Sequence, residues 1–277
     1  MNTKGVIEHI VSWLNEYAEK SRSQGFVVGV SGGIDSAVTS ALCCLTGRPT
    51  LLIEMPIHQA KSQVDRAQEH IRMMREKHSK VSDLVVNLTP VYTSMVEALM
   101  ENETNAIVEI ARANMRARLR MCTLYYHAAT NNSLVAGTGN KVEDFGIGFY
   151  TKWGDGAADL NPIADLNKTE VYALGRELGI VESIINAAPT DGLFGDNRSD
   201  EDQIGASYPE LEWAMEMIAK IGFNGTLTEL KNRMDSAVLS DRQKLVAEIF
   251  YDRHLKNQHK MKPIPVCEIP LLLRNKE

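Results

Sequence analysis

Residues Phe26-Val27-Val28-Gly29-Val30 run directly into Ser31-Gly32-Gly33-Ile34-Asp35-Ser36, and an apolar stretch then continues to Leu45. The pattern reads as a strand, a tight turn and a helix that begins near Ile34. Two adjacent glycines reach backbone dihedrals closed to other residues and leave amide N–H groups aimed at an oxyanion, while the helix N-terminus adds partial positive charge at the same point. Ser31 and Ser36 supply hydroxyl donors, and Asp35 is a hard oxygen ligand of the kind that holds the Mg2+ accompanying a polyphosphate. The loop has neither the Gly-Lys-Ser/Thr ending of a Walker loop nor the G-x-G-x-x-G of a dinucleotide fold.

Around this unit, strand-like and helix-like stretches alternate. Ile7, Ile10, Val11 and Leu14 recur at helical spacing ahead of the Phe26–Val30 strand. Apolar or β-branched runs return at Thr50–Met55, Leu84–Leu88 and Ser133–Ala136, separated by helical stretches at about 62–78 and 104–131. Such alternation implies an α/β fold: a Rossmann-like parallel sheet with helices on both faces, whose ligands bind at the carboxyl ends of the strands. Three strands are followed there by polar or glycine-bearing segments, Ser31–Ser36, Pro56–Asp65 and Gly137–Glu143. Beyond residue 145 come a loop rich in Gly, Asp and Lys, a helix near Lys168–Leu178, an acidic loop Pro189–Asp202 and a mostly helical C-terminal portion with one long charged stretch from Thr228 to about Lys256.

Composition narrows the class. A chain of 277 residues with 44% apolar residues suits one large domain, 1–277. No stretch approaches the roughly 20 apolar residues that span a bilayer, and no basic-then-apolar leader opens the chain, so neither a membrane nor secretion is expected and the location reads as cytoplasmic. A formal net charge of −6 argues against nucleic acid as a partner. The four cysteines, Cys43, Cys44, Cys122 and Cys267, show neither C-x-x-C spacing nor a disulfide framework, and three of them sit within apolar helical stretches where Cys is expected to pack as a small hydrophobe.

Two further segments carry chemistry. Leu134-Val135-Ala136-Gly137-Thr138-Gly139-Asn140-Lys141-Val142-Glu143 is a strand ending in Gly-Thr, with Glu143 following as a second oxygen ligand to join Asp35 around one Mg2+. The other is Thr151-Lys152-Trp153-Gly154-Asp155-Gly156-Ala157-Ala158-Asp159, with Lys168 downstream. The order SGGxDS, GTxNxxE, TKxGDGxxD and Lys resembles ammonia-dependent NAD synthetase, a family of N-type ATP pyrophosphatases with the adenine nucleotide alpha hydrolase-like fold. The resemblance runs from about residue 26 to residue 260.

The resemblance implies a role for each matching position. Gly29, Val30, Ser31, Gly32, Gly33, Ile34, Asp35 and Ser36 line the ATP phosphates, and Thr138, Lys168 and Thr190 also meet ATP. Asp35 and Glu143 bind Mg2+, and Asp35 and Lys168 serve catalysis. Arg118, Lys152, Asp159, His259 and Lys260 are the positions for deamido-NAD. Arg116, Arg118 and Arg120 alternate along one helix, so only one or two of them can face a site. Where the family commonly reads Pro-Thr-Ala-Asp-Leu, this chain has Pro189-Thr190-Asp191-Gly192-Leu193, which displaces the carboxylate by one position. The family also implies a homodimer with deamido-NAD near the subunit interface.

In the implied reaction the nicotinate carboxylate attacks the α-phosphorus of ATP, pyrophosphate leaves, and ammonia opens the mixed anhydride to give NAD and AMP. A tRNA-modifying relative would call for catalytic cysteines and a basic surface, which this sequence lacks. A nucleotide sensor without turnover fits poorly with the retained carboxylates and Lys168. The sequence has no spare stretch of roughly 200 residues for a glutaminase and no early cysteine nucleophile, so ammonia is the expected nitrogen donor. The isolated chain is therefore expected to make NAD with ammonium salts and far less efficiently with glutamine. Equal rates of NAD formation with ammonia-free glutamine would overturn that expectation.

Overall fold

A computed structural model of the chain describes residues 1–99, 105–190 and 199–274. Four parallel strands form one sheet in the order β3-β2-β1-β4: β1 Gly25–Gly29, β2 Thr50–Glu54, β3 Val81–Val85 and β4 Ser133–Val135. Phe26, Val28 and Leu52 face one side, against helices α1 (Thr3–Lys20), α2 (Ile34–Leu45), α3 (Lys61–Lys77) and α6 (Lys168–Glu177). Val27, Ile53 and Val135 face the other, against α4 (Thr89–Ala98) and α5 (Ala106–Thr130). Each fully buried side chain of this kind contributes roughly 1.5–3 kcal/mol. A one-residue slip would exchange the two faces, so the register is firmly set.

Helices on both faces of a parallel sheet are what the alternation implies. The third strand, however, lies at Val81–Val85 and not at the apolar run Leu84–Leu88. This edge strand is largely exposed, and its position is fixed by backbone pairing with β2, from Thr50↔Val81 to Glu54↔Val85, with Arg75 holding Asp83 at 2.8 Å. Leu88 is buried instead as the cap of α4.

The chain goes out from β1 to β2 and β3 on one side and returns through α4 and α5 to β4 on the other. A topological switch point therefore opens between β1 and β4. After β4 follow a π-helix (Lys141–Ile147) and α6, then α7 (Glu182–Ile185), α8 (Asp200–Ile204), α9 (Tyr208–Lys220), α10 (Leu227–Asp235) and α11 (Asp241–Met261). Val142 and Ile147 of the π-helix pack with Leu211, Leu230 and Phe250 in a separate helical core. The charged stretch from Thr228 is two helices, because Ser240 caps α11 in a box with Gln243 and breaks the run. Cys43 and Cys44 are buried as expected; Cys122 is exposed on the outer side of α5 and Cys267 is exposed as well, so neither packs as a core residue.

Between α2 and α3 lies a buried polar contact. His70 is fully enclosed, with Nε2 2.7 Å from Ser40 Oγ and no hydrogen-bond partner for Nδ1 among the described residues. Burial, aided by Lys77, pushes its pKa down from 6.5 to about 4. The folded state therefore keeps His70 neutral where the unfolded chain is already protonated. Stability from this group is full above pH 6.5 and falls as pH drops from there towards 4. Between pH 7 and pH 5, urea unfolding should show the wild type losing about 2 kcal/mol more than His70→Gln. Equal losses would refute the buried neutral histidine.

Candidate active site

The turn after β1 is built as a cradle. Gly32 has φ +83°, and a Cβ there would lie 2.5 Å from the Gln63 carbonyl oxygen at the start of α3, so only glycine fits. Arg66 of α3 donates from Nε to the Gly32 carbonyl at 3.2 Å. Ser31 N–H donates to Ser36 Oγ at 3.2 Å, Ser36 Oγ donates to the Gly33 carbonyl at 3.0 Å, and the two serine hydroxyls are 3.1 Å apart. The serines thus hold the loop's curvature while α2 starts at Ile34 behind it.

Asp35, in the first turn of α2, meets two other elements here. The Lys168 ammonium lies 2.6 Å from Asp35 Oδ2 and 2.9 Å from Glu143 Oε1. Lys168 is the first residue of α6, where the helix dipole disfavours a cation, and its side chain is only 4% exposed. Burial works against its charge, yet Asp35 and Glu143 outweigh burial and hold its pKa well above the ordinary lysine value. Burial raises the pKa of Asp35, and Lys168 partly offsets this. Removing one partner of such a buried cluster typically costs about 3–5 kcal/mol.

The π-helix presents Glu143. Asn140 caps it, accepting the Glu143 N–H at 3.1 Å while donating from Nδ2 to Asp35 Oδ1 at 3.2 Å, so one side chain spaces both carboxylates. The Tyr208 hydroxyl at the start of α9 donates to Glu143 Oε1 and lies 3.3 Å from Asp200 Oδ2, and its ring centroid is 4.8 Å from Lys168 Nζ. Behind these, burial and the neighbouring Asp155, Glu143 and Asp35 push the Asp144 carboxyl well up. Burial likewise raises the pKa of Asp155.

These groups share a cavity of about 280 Å³ at the carboxyl ends of β1, β2 and β4, the switch point of the sheet. All of Gly29 to Ser36 line it, as do Thr138, Glu143, Lys168 and Thr190. The structure therefore brings together every residue that the motifs assign to ATP and metal. Asp191 lies outside the described residues.

The other assigned set lies outside this cavity. Arg118 donates from Nη2 to the Lys152 carbonyl at 3.3 Å, and Lys152 Nζ donates to the His259 carbonyl at 2.6 Å. Lys260 Nζ donates to the Gly148 and Tyr150 carbonyls, both at 2.9 Å. Arg118, Lys152, His259 and Lys260 thus meet where α5, the 148–156 segment and the end of α11 converge. Among the described residues none of the three cations Arg118, Lys152 and Lys260 has a carboxylate ion-pair partner. Asp159 is not bonded into this set: its carboxylate accepts the Val135 N–H at 2.8 Å and faces Tyr125 Oη at 3.4 Å, closing the edge of β4.

Several residues of the site carry no sequence signal of their own. Asn140 sits inside GTxNxxE and was within reach of a motif reading. Tyr208 and Asp200 come from the helical region; Tyr208 meets Glu143 only through tertiary packing, and Asp200 meets Tyr208. Arg120 turns inward where Arg118 turns away, donating to the Met55 carbonyl and to Gln59 Oε1, each at 3.0 Å. Burial and Arg116 lower its pKa to about 10.

The NAD synthase family model matches residues 6–263. The chain is 40% identical over 213 residues to the NH3-dependent NAD(+) synthetase of Carboxydothermus hydrogenoformans, covering 76% of this chain and 85% of that protein. Among solved structures it is similar to an NMN synthetase from Francisella tularensis, with a TM-score of 0.80, 29% identity, 97% of this chain and 100% of that one. It is also similar to an NH3-dependent NAD synthetase from Campylobacter jejuni, with a TM-score of 0.74, 25% identity and the same coverage of 97% and 100%.

Replacing Gly32 by Ala forces a Cβ into the α3 backbone at a left-handed φ. Denaturant unfolding should record a loss of about 1–3 kcal/mol, with nucleotide affinity falling in parallel. An alanine variant that kept both would show that the loop does not need the close approach to Gln63.

Proposed function

The chain belongs to the NAD synthase family, and from that membership we infer that it catalyses the ATP-dependent amidation of deamido-NAD to NAD with ammonia, releasing AMP and pyrophosphate. The observation that carries the reading is the convergence of Asp35, Glu143 and Lys168 beside the phosphate cradle, on the motifs that define the family's ATP site.

The cradle's N–H groups and the N-terminus of α2 receive the departing pyrophosphate, and Lys168 offsets its growing charge as a point cation. The nicotinate carboxylate forms the new bond to the α-phosphorus, so no protein nucleophile is consumed and the residues act by positioning and charge. Asp35 and Glu143 bring hard carboxylate oxygens together beside the cradle, with the Lys168 ammonium held between them, and donors of this kind suit Mg2+. When bound, Mg2+ supplies charge neutralisation on the phosphate oxygens.

For deamido-NAD the supporting feature is the group Arg118, Lys152 and Lys260, cations held by backbone carbonyls and so available to an anion. His259 joins that group through its carbonyl, while Asp159 is bonded instead to the Val135 N–H of β4. The outer side of α4 and α5 exposes Val91, Met95, Ile107 and Ile110 beside Arg118, which favours a homodimer through that face. No helix among the described residues is long and apolar enough to cross a membrane, in keeping with a cytoplasmic biosynthetic enzyme. Residues 1–277 are read as one domain because Tyr208 of the helical part completes the site of the sheet part.

A second reading keeps the chemistry and shortens the acceptor to nicotinate mononucleotide. The similarity to the Francisella NMN synthetase over 97% of this chain favours it. Comparing kcat/KM for deamido-NAD and nicotinate mononucleotide decides between them. In either case AMP and pyrophosphate should form only when ATP, the nicotinate nucleotide and the enzyme are present together, and turnover without the nicotinate nucleotide would sink the assignment.

The two halves of the site should separate on mutation. Arg118→Ala or Lys260→Ala is expected to weaken deamido-NAD binding by about 1.5–3 kcal/mol while leaving ATP affinity nearly unchanged. Lys168→Ala should do the reverse. Calorimetric titration of the folded variants is the check, and an Arg118→Ala protein impaired for ATP alone would undo the division.

A further inference from the structure

The geometry points to Tyr208 and Glu212, one turn apart on α9, as positioning residues that set the Lys168 ammonium and the Glu143 carboxylate against the phosphate cradle. The inference rests on Lys168 and Glu143 serving ATP, as proposed above. Residues four apart on a helix lie on one face, and this face of α9 meets both the start of α6 and the π-helix.

Glu212 is buried, and both of its oxygens go to a single residue of α6. Oε1 accepts the Thr169 N–H at 2.9 Å and Oε2 accepts the Thr169 hydroxyl at 2.6 Å. The N-terminus of α6 is only half capped from its own chain: Glu170 Oε2 accepts the Asn167 N–H at 2.9 Å, but Asn167 Oδ1 is buried with no hydrogen-bond partner among the described residues. Glu212 supplies from α9 an acceptor for a first-turn N–H that Asn167 does not provide. It fixes where the helix starts, and Lys168 is the residue next to Thr169.

Tyr208 works from the other side. Its hydroxyl donates to Glu143, and its ring lies 4.8 Å from Lys168 Nζ, the third surface around an ammonium already bonded to Asp35 and Glu143. With the ring beneath the cation and the hydroxyl on the carboxylate, Tyr208 keeps Glu143 and Lys168 from collapsing further onto each other or drifting from the cradle. The pair thereby gives the remote helical core a direct hold on the ATP site.

The test is a double-mutant cycle read by the dissociation constant for α,β-methylene ATP, with thermal unfolding measured on each protein. Glu212→Ala should weaken the analogue about tenfold in the wild-type background and less than about twofold in a Lys168→Ala background, because the effect passes through Lys168. Glu212→Gln keeps the buried shape and one acceptor for Thr169, should recover about half of the loss on a logarithmic scale, and serves where the alanine variant does not fold. Tyr208→Phe keeps the ring and should weaken the analogue about threefold or more, an effect lost when Glu143 is already Gln. Equal losses in both backgrounds would mean that α9 acts only on global stability, and would overturn the inference while leaving the ATP assignment intact. If Lys168→Ala alone bound the analogue with wild-type affinity, the ATP assignment would fail and the inference with it.

Discussion

The phosphate cradle and the elements around it converge on one buried ammonium shared by two carboxylates. Lys168 comes from the first turn of α6, Asp35 from the first turn of α2 and Glu143 from a π-helix, three elements with no local reason to meet. Each of the three is costly by itself: a lysine at a helix N-terminus opposes the dipole, and an isolated carboxylate in this setting is poorly solvated. Together they offset one another, so the site is stable only when the sheet, the π-helix and α6 are all in place. That mutual dependence explains why Asn140 touches both Asp35 and Glu143, and why Tyr208 reaches in from the helical core.

The same arrangement suits a reaction in which charge moves and no protein atom is covalently changed. Cleaving ATP between its α and β phosphates develops negative charge on the leaving pyrophosphate, and preorganised N–H groups and a fixed cation stabilise it without reorganising at the moment of reaction. The loop's serines are already bonded to its own backbone and its glycine is pressed against α3, so the cradle is shaped by the fold itself. The cradle thus sets fixed backbone dipoles beside one held ammonium.

How legible this was in the sequence depended on whether the signal was local. The strand, turn and helix from Phe26 to Leu45 follow from adjacent residues, and the helix bounds Ile34–Leu45 coincide with the reading. The Gly-Thr ending of β4 and the following Glu143 were equally readable, because a motif spaces them along the chain. The third strand was misplaced because edge pairing, and not apolar content, sets its register. The charged stretch from Thr228 to about Lys256 falls in two helices because a serine cap starts α11 within it. Tyr208 and Glu212 were not legible at all: each touches the site across tens of residues of intervening chain, nothing around them in sequence announces the contact, and Asp200 bonds to Tyr208.

The separation between the two groups of cations follows from the same physics. Lys168 is neutralised by two acids, so a ligand that reaches it competes with Asp35 and Glu143 for its charge. Arg118, Lys152 and Lys260 are held by carbonyl dipoles, which orient a cation without cancelling it, so they present positive potential to a less charged anion. The proposed division of the site between a polyphosphate and a second nucleotide draws on this asymmetry. The chain creates it by varying what surrounds each positive charge: carboxylates in one pocket and backbone carbonyls in the other.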